Sequence, residues 1–153
     1  MCLLTKNQFV KAEKDIVCYK TIEQNYFAGG PAYRTPYMLK SISSEVVKGK
    51  ENFKAEGEIN VHIPMICVCW AMEDEMEIDG GIIHVFANIK DAERDLNNWG
   101  RSDVRILVYK CIIPKGTYYV EGRFGYSPDK NDKHNNSICY GAEEIKFVEQ
   151  IKI

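Results

Sequence analysis

Long apolar runs and an excess of one charge sign are both missing from this 153-residue sequence. Met1–Lys6 holds only a brief apolar stretch, too short for the hydrophobic region of a signal peptide and far too short to span a bilayer. The 20 basic and 22 acidic residues give a formal charge of −2, so clustered positive charge for a phosphate backbone is missing too. We therefore expect a cytoplasmic protein whose partners include neither a membrane nor nucleic acid.

Recognisable phosphate and zinc motifs are also missing. Neither Gly29-Gly30 nor Gly80-Gly81 lies in a G-x-G-x-x-G or Walker lysine pattern. Cys67-Val68-Cys69 lacks the C-x-x-C spacing and the second ligand pair of a structural zinc site. A chain of this length without an export signal does not depend on disulfides, so the 6 cysteines are predicted to be free thiols. We expect no metal and no cofactor.

The composition that is present is typical of a folded domain. With 45% hydrophobic and 27% charged residues, the chain lies well away from disordered sequences. A domain of this size buries roughly 68–70% of the surface that its unfolded chain exposes. No internal repeat or long linker is visible. Residues 1–153 are predicted to form a single α+β domain, with a mostly antiparallel or mixed β-sheet, one well-defined helix at about 88–99 and few others.

Alternating, β-branched and aromatic residues predict six strands. These are Asp15–Thr21, Ile59–Trp70, Gly81–Phe86, Val104–Ile113, Thr117–Glu121 and a last strand with Ile145, Phe147, Ile151 and Ile153 on one face. Val104–Ile113 is apolar on both faces, which predicts a central place in the sheet, and Pro114-Lys115-Gly116 turns the chain after it.

The clearest helix signal begins at Asn88, which suits the N-cap, with Asp91 in the first turn. Apolar residues recur at helical spacing at Ile89, Ala92, Leu96 and Trp99. Gly100 can close the helix, because glycine adopts the left-handed conformation readily.

Three segments are predicted to lie between these elements. Gly29–Pro31 and Tyr33–Tyr37 together indicate an ordered loop. Glu73–Asp79 offers carboxylates to a hard cation, but its spacing matches no EF-hand loop, so a solvated turn is expected. Residues 123–137 are rich in Gly, Pro, Asp, Asn and Lys and predict a mobile surface loop.

The Tyr33–Tyr37 segment combines groups that suit a nucleotide-like ligand. Arg34 offers a planar fork for phosphate, Thr35 a hydroxyl, and Tyr33 and Tyr37 offer faces on which a base can stack. A surface arginine beside two half-buried tyrosines accounts for the same residues without a ligand.

Of the three histidines, His84 is the best placed for binding, because it precedes a strand-to-helix junction where backbone amides point toward an anion. His62 has no adjacent carboxylate motif, and His134 lies in a polar loop. A histidine satisfied by backbone or solvent is the more frequent case. The candidate ligand-binding residues are Lys20, Tyr33, Arg34, Thr35, Tyr37 and His84, and no catalytic residue is assigned.

Three segments together resemble parts of the ADP-ribosyltransferases. Val108–Val120 looks like the late sheet of that family, where a catalytic strand runs into an apolar I-P-x-G-T turn. Gly81–Phe86, which feeds a short helix, and Ile16–Lys20 are similar to earlier elements of that fold. The same segments, with Cys111–Thr117, also resemble uncharacterised small proteins of phages and gut bacteria.

The chain departs from the family at its catalytic positions. Val108-Tyr109-Lys110 carries no carboxylate where the resemblance places a glutamate that stabilises an oxocarbenium ion. His84–Ala87 stands in place of the serine-containing motif. The resemblance therefore implies a nucleotide-sized cleft without the nicotinamide-cleaving chemistry.

The predicted function is a non-catalytic domain that binds a small nucleotide-like ligand, an ADP-ribose relative, and sequesters it as phage counter-defence proteins do. That role rests on resemblance. One alternative is an ADP-ribosyltransferase-like enzyme with a displaced carboxylate such as Glu121 or Glu149. Another is a protein-interaction module whose 9 tyrosines contact a host protein. The oligomeric state stays open, a homo-oligomer included.

Overall fold

The computed structural model describes residues 3–27, 30–36, 40–62, 71–72, 74–98, 104–124 and 137–152. Within these ranges, antiparallel pairings join thirteen strands into one curled sheet, accompanied by two helices. The strands are β1 (Leu3–Thr5), β2 (Val10–Lys11), β3 (Ile16–Phe27), β4 (Gly30–Arg34), β5 (Ser41–Ile42), β6 (Phe53–Lys54), β7 (Asn60–His62), β8 (Met76–Gly80), β9 (Ile83–Phe86), β10 (Arg105–Ile113), β11 (Tyr118–Phe124), β12 (Cys139–Ala142) and β13 (Glu144–Ile151). The helices are α1 (Ser44–Val47) and α2 (Ile89–Asn98).

Neighbouring strands follow the order β6-β13-β10-β3-β9-β12-β11-β1-β8-β7. Off this path, β2 pairs with β11, and β4 pairs with both β3 and β5. The sheet is therefore the dominant element of the described chain, as the prediction of a mostly antiparallel sheet with few helices requires. Neither described helix is long and apolar enough to cross a membrane. The extent of the domain, residues 1–153, stays a prediction.

β10 lies at the centre of its part of the sheet, between β3 and β13, which confirms the prediction from its two apolar faces. Leu107 and Tyr109 pack into a core cluster on one face, and Val108 packs into a second cluster on the other. Cys111 pairs directly with Cys18 of β3, and both are buried free thiols. The alternation of side chains along a strand thus serves two cores at once.

The two clusters divide the remaining apolar residues by sheet face. The first cluster contains Ile22, Ile145 and Phe147, with the helix α1 residues Val46 and Val47 packed against them. The second contains Leu3, Ile78, Phe86, Phe124 and Ala92, the last from helix α2. Each fully buried large side chain of this kind stabilises the fold by about 1.5–3 kcal/mol.

Helix α2 confirms the predicted helix. The carbonyl of Asn88 accepts hydrogen bonds from the amides of Asp91 (3.2 Å) and Ala92 (3.3 Å), which starts the helical ladder. Ala92 and Asp95 are buried on the face toward the sheet. The predicted roles of the Leu96 side chain, Trp99 and Gly100 lie outside the described residues.

The segment around Tyr33, predicted to be a loop, is the second strand of a hairpin. β4 pairs with β3 over its whole length, and β3 runs past its predicted end at Thr21 to Phe27. Pro31 is tolerated because β5 pairs with β4 at Tyr33 and Arg34, leaving the outer side of Pro31 without a described ladder partner. The loop prediction for 30–34 is therefore wrong. It arose because a Gly-Pro pair on an edge strand gives the same sequence signal as a turn.

The acidic segment predicted to be a solvated turn, Glu73–Asp79, is a strand from Met76 onward, whereas Asp74 lies in a turn and residue 73 is outside the described residues. β8 pairs with β1 on one side and β7 on the other. Ile78 is buried between Glu77 and Asp79, an alternation that the surrounding charges hide in the sequence. Glu75 is buried against Arg123 at 2.7 Å. Burial alone would raise the pKa of Glu75, but hydrogen bonds from Arg123 and from the Met72 amide lower it overall.

The loop predicted at residues 123–137 can be compared with the structure only at its two ends. Arg123 and Phe124 belong to β11, so the prediction is wrong for these two, and Ser137 is buried. Residues 125–136 lie outside the described part of the chain. β12 follows directly and was not predicted, because Gly141 interrupts its short apolar pattern.

The remaining strand predictions are confirmed in part. β7 covers 60–62 of the predicted strand Ile59–Trp70, whose residues 63–70 are not described. The final strand is confirmed, but Ile151 does not share a face with Ile145 and Phe147, and the predicted place of Ile153 lies outside the described residues. The register against β10 shifts so that Val148 has no partner, and Ile151 therefore packs with the second cluster rather than with Ile145 and Phe147.

The predicted turn at Pro114-Lys115-Gly116 is confirmed. The amide of Thr117 donates to the carbonyl of Pro114 at 3.1 Å, and Gly116 has φ 87°, which the third residue of a type II turn requires. Gly81, between β8 and β9, also has a positive φ of 75°. Its surroundings differ, since a Cβ there would overlap the backbone of Glu58 and Ile59, whereas Gly116 has no neighbour within 4 Å of an added Cβ.

This pair of glycines gives a matched test of the fold. Gly116→Ala should lower the free energy of unfolding by about 1 kcal/mol, because only the positive φ is strained. Gly81→Ala should lower it by about 3 kcal/mol or more, because the new methyl group also displaces the chain at 58–59. Urea denaturation of both variants measures the difference. Equal losses would mean that the backbone at 58–59 does not pack on Gly81.

Candidate functional site

A cavity of about 400 Å³ opens where β3 and β9 separate. One described bridge, Tyr19 with Phe86, joins these two strands before they diverge. The walls come from β3, from β9 and the turn before it, from the segment 53–60, and from the residues around Thr35 and Ser41. The site is therefore a consequence of sheet splaying, with polar residues of several distant segments brought to one space.

Lys20 is the charged residue buried in this wall, with 7% of its surface exposed. Its Nζ donates a hydrogen bond to the backbone carbonyl of His84 at 2.9 Å. Burial lowers the pKa of Lys20 to about 8, although the carboxylate of Asp95 acts in the opposite direction. Among the described residues, no carboxylate lies within 4.0 Å of this ammonium group.

Asp95 is held on the other side of β3. It is 2% exposed, and its Oδ2 accepts a hydrogen bond from the hydroxyl of Thr21 at 3.2 Å. Because Lys20 and Thr21 are adjacent on a strand, their side chains leave on opposite faces of the sheet. Asp95 therefore favours the charged form of Lys20 at a distance, without neutralising it by direct contact.

His84 is neutral at physiological pH. Burial and the nearby Lys20 cation lower the pKa of His84 to about 3, against a bond to the backbone of Ile78 that acts the other way. Its ring packs edge-on against Phe124 at 5.5 Å between centroids. The Nε2 atom is buried and has no hydrogen-bond partner among the described residues. His84 is thus a cavity residue with a neutral imidazole ring, and its backbone carbonyl accepts the hydrogen bond from Lys20.

The mouth of the cavity carries exposed charges of both signs. Lys54 pairs with Glu144 at 3.7 Å, and Asp79 pairs with His62 at 3.3 Å. Lys40 is exposed, and its backbone amide donates to the hydroxyl of Thr35 at 3.0 Å. Since these charges are exposed, solvent screens them. The buried charge that a bound molecule meets is that of Lys20.

The structure brings three of the predicted ligand-binding residues together: Lys20, Thr35 and His84 all line the cavity. Tyr33 and Arg34 are not among its described lining residues. Tyr33 packs against the first core cluster instead. Tyr37 lies outside the described residues.

Arg34 is engaged with a buried carboxylate. Its Nε donates to Glu23 Oε2 at 2.8 Å, and Glu23 is 0% exposed. With its amide oxygen toward Arg34, Asn25 accepts from the guanidinium at 3.1 Å. The second oxygen of Glu23 has no described hydrogen-bond partner. Arg34 therefore compensates a buried negative charge within the hairpin, and its role as a phosphate ligand stays a prediction.

Several residues that line the cavity could not be predicted from the sequence. Lys40, Lys54 and Asp79 come from segments whose patterns are polar or acidic, Phe86 comes from a predicted strand, and Phe124 falls in the segment predicted to be a loop. A separation between two paired strands leaves no local pattern, so composition alone does not identify these positions. Among the described residues, no group of three or more His, Cys, Asp or Glu side chains could hold a metal ion.

Comparisons with protein-family models, curated proteins and solved structures find no match to this chain. The resemblance to ADP-ribosyltransferases and to phage and gut-bacterial proteins therefore stays a prediction.

The neutral, buried His84 predicts a defined pH dependence. Its pKa is about 3 in the folded state and 6.5 when unperturbed. The unfolded chain therefore binds the proton first, and stability is lost as the pH falls from 6.5 toward 3. At pH 4.5 the loss should be on the order of 3 kcal/mol. His84→Gln, which cannot titrate, should show a flatter profile in urea denaturation, whereas parallel profiles would contradict a buried neutral imidazole.

Arg34 can be tested as a structural residue. Arg34→Ala leaves the Glu23 carboxylate buried and unpaired, so the free energy of unfolding should fall by about 3 kcal/mol. Arg34→Lys keeps the charge and should lose less. Thermal or urea denaturation measures both. If Arg34→Ala keeps wild-type stability but loses affinity for ADP-ribose, the arginine is a ligand residue and the structural assignment is wrong.

Proposed function

We propose that this chain is a non-catalytic binding protein for a small anionic, nucleotide-like ligand, an ADP-ribose relative, and that Lys20 is the counter-ion of the ligand. The observation that carries the proposal is the buried ammonium group of Lys20 on a cavity wall, with no carboxylate of the described residues within 4.0 Å. Isolated buried charges are costly and are normally paired.

An anionic ligand would supply the missing partner. Burial disfavours the charged form of Lys20, as its lowered pKa of about 8 indicates. A phosphate or carboxylate oxygen placed beside Nζ would recover that free energy as a charge-assisted hydrogen bond. Burial of the Lys20 charge destabilises the ligand-free protein, and a bound anion would remove this unfavourable free energy. This is the energetic pattern expected of a binding site.

The size and walls of the cavity suit a nucleotide-like molecule. Its volume of about 400 Å³ falls in the range of roughly 300–1,000 Å³ typical of small-molecule sites. Phe53 and Phe86 provide apolar surface for a base, and the hydroxyls of Thr35 and Ser41 can bond to ribose or phosphate oxygens. Few but convergent polar groups on an apolar wall are characteristic of such pockets.

Sequestration of a signalling nucleotide, as in phage counter-defence, is the biological role that this binding activity would serve. It rests on the sequence resemblance. No observation favours the enzyme alternative: Glu121 and Glu149 are exposed, and neither is among the described residues that line the cavity. The interaction-module alternative likewise gains no specific support from the described surface.

Substitution of Lys20 separates binding from folding. Lys20→Met should weaken binding of an anionic ligand by roughly 30-fold. The same change should raise the free energy of unfolding at pH 7 by on the order of 2 kcal/mol, because the fold no longer carries a buried charge. Calorimetric titration and urea denaturation measure these two effects.

The ligand pool for this test is NAD, ADP-ribose, cyclic ADP-ribose isomers and ADP, with bound molecules released by heat and identified by mass spectrometry. Lys54→Met is the matched control: Lys54 also lines the cavity but is exposed, so its loss should change affinity less than about 3-fold. If no member of the pool binds, or if Lys20→Met binds as tightly as the wild type, the proposal is wrong.

A further inference from the structure

Lys20 differs from the other lysines of the described chain in its surroundings. It is the lysine that is buried, and it alone donates its Nζ to a backbone carbonyl inside the cavity. Lys40 and Lys54, at the mouth of the same cavity, are exposed. A carbonyl acceptor fixes the position of the nitrogen but does not hold its proton as a carboxylate would.

We propose that Lys20, which attracts the anionic ligand in its charged form, is in its neutral form a nucleophilic amine that condenses reversibly with the aldehyde of a reducing sugar phosphate in the cavity. This inference rests on the proposed function and specifies its ligand class. A free ribose at the end of an ADP-ribose relative opens to such an aldehyde, whereas ADP and NAD carry no free reducing sugar. The enclosed wall and the fixed Nζ place the amine where a bound sugar would lie.

The step balances without any further reactant. The neutral amine of Lys20 attacks the carbonyl carbon, so that a nitrogen–carbon bond forms and the carbonyl π electrons move to oxygen. The two hydrogens of the amine then leave with that oxygen as one water molecule, and a carbon–nitrogen double bond remains. Hydrolysis returns the amine and the aldehyde, so the ligand is held and not consumed.

The protonation state of Lys20 supports this chemistry. Desolvated lysines are the ones used as amine nucleophiles in proteins. The pKa of Lys20 is lowered to about 8 by burial, so roughly a quarter of the molecules carry the neutral amine at pH 7.5. An unperturbed lysine, with a pKa near 10.4, is neutral in only about one molecule in a thousand at that pH.

Borohydride trapping tests the inference. The full-length protein is incubated with ADP-ribose and sodium cyanoborohydride, which reduces an imine to a stable secondary amine, and the product is analysed by intact mass and peptide mapping. One adduct per chain on the Lys20 peptide is expected. ADP in place of ADP-ribose should give none. Adduct spread evenly over the exposed lysines would overturn the proposal.

Lys20→Arg is the matched variant, because it keeps a cation but cannot form an imine. It should yield no adduct at position 20, and calorimetry should show weaker binding of ADP-ribose, because the larger guanidinium cannot take the position of Nζ. Circular dichroism checks that it folds. For the wild type, the rate of adduct formation should rise with pH to a half-point near 8, in line with the pKa of Lys20 of about 8. A rate that is still climbing tenfold per pH unit at pH 9.5 would contradict a desolvated amine.

The two proposals fail separately. If ADP-ribose and ADP bind equally in calorimetry and no adduct forms, the imine is wrong and anion binding stands. If neither nucleotide binds but glyceraldehyde 3-phosphate labels Lys20 selectively, the amine assignment stands and the nucleotide assignment is wrong. If nothing binds and nothing is labelled, both are wrong.

Discussion

Nine consecutive antiparallel pairs between β3 and β10, from Arg105 with Gln24 to Ile113 with Ile16, hold the centre of the sheet together. Every residue of β10 has a partner in this ladder, so a slip of one residue would move each side chain to the opposite face. Such a slip would move Leu107 and Tyr109 into the space of the second core cluster and Val108 into that of the first. The two core clusters fix this register, and the positions of β9 and β13 follow from it.

The cavity follows from the same register. β3 meets β9 at a single described bridge, Tyr19 with Phe86, and pairs with β4 only from Glu23 onward, so residues 20–22 have no described ladder partner on this edge. The backbone groups of an unpaired stretch beside a buried core need other hydrogen-bond partners, such as side chains or a ligand. Lys20 spans part of this gap to the His84 carbonyl. A long cationic side chain is suited to that position, because its methylene groups can pack against the core while its nitrogen reaches a polar acceptor.

The sequence predicted those elements whose pattern is local. Helix α2, the central strand and the turn at Pro114 each carry a periodicity or a turn residue that decides their structure without distant partners. β4 and β8 were mispredicted, because Pro31 on a sheet edge and the charges flanking Ile78 imitate turns. The candidate site was found in part: Lys20, Thr35 and His84 meet in the cavity, whereas the partnership of Arg34 with Glu23 depends on cross-strand pairing that no local pattern shows.

The pair of thiols behind Lys20 has a consequence for the chemistry of the interior. Cys18 and Cys111 face each other across β3 and β10, and burial raises the pKa of Cys18 to about 12 and that of Cys111 well above its usual value. Thiols are normally more reactive than amines because they ionise more readily. Here that order is inverted, since burial lowers the pKa of Lys20 to about 8 while it raises the pKa values of both thiols. The two thiols therefore stay protonated at pH values at which Lys20 has lost its proton, and neither is among the described residues that line the cavity.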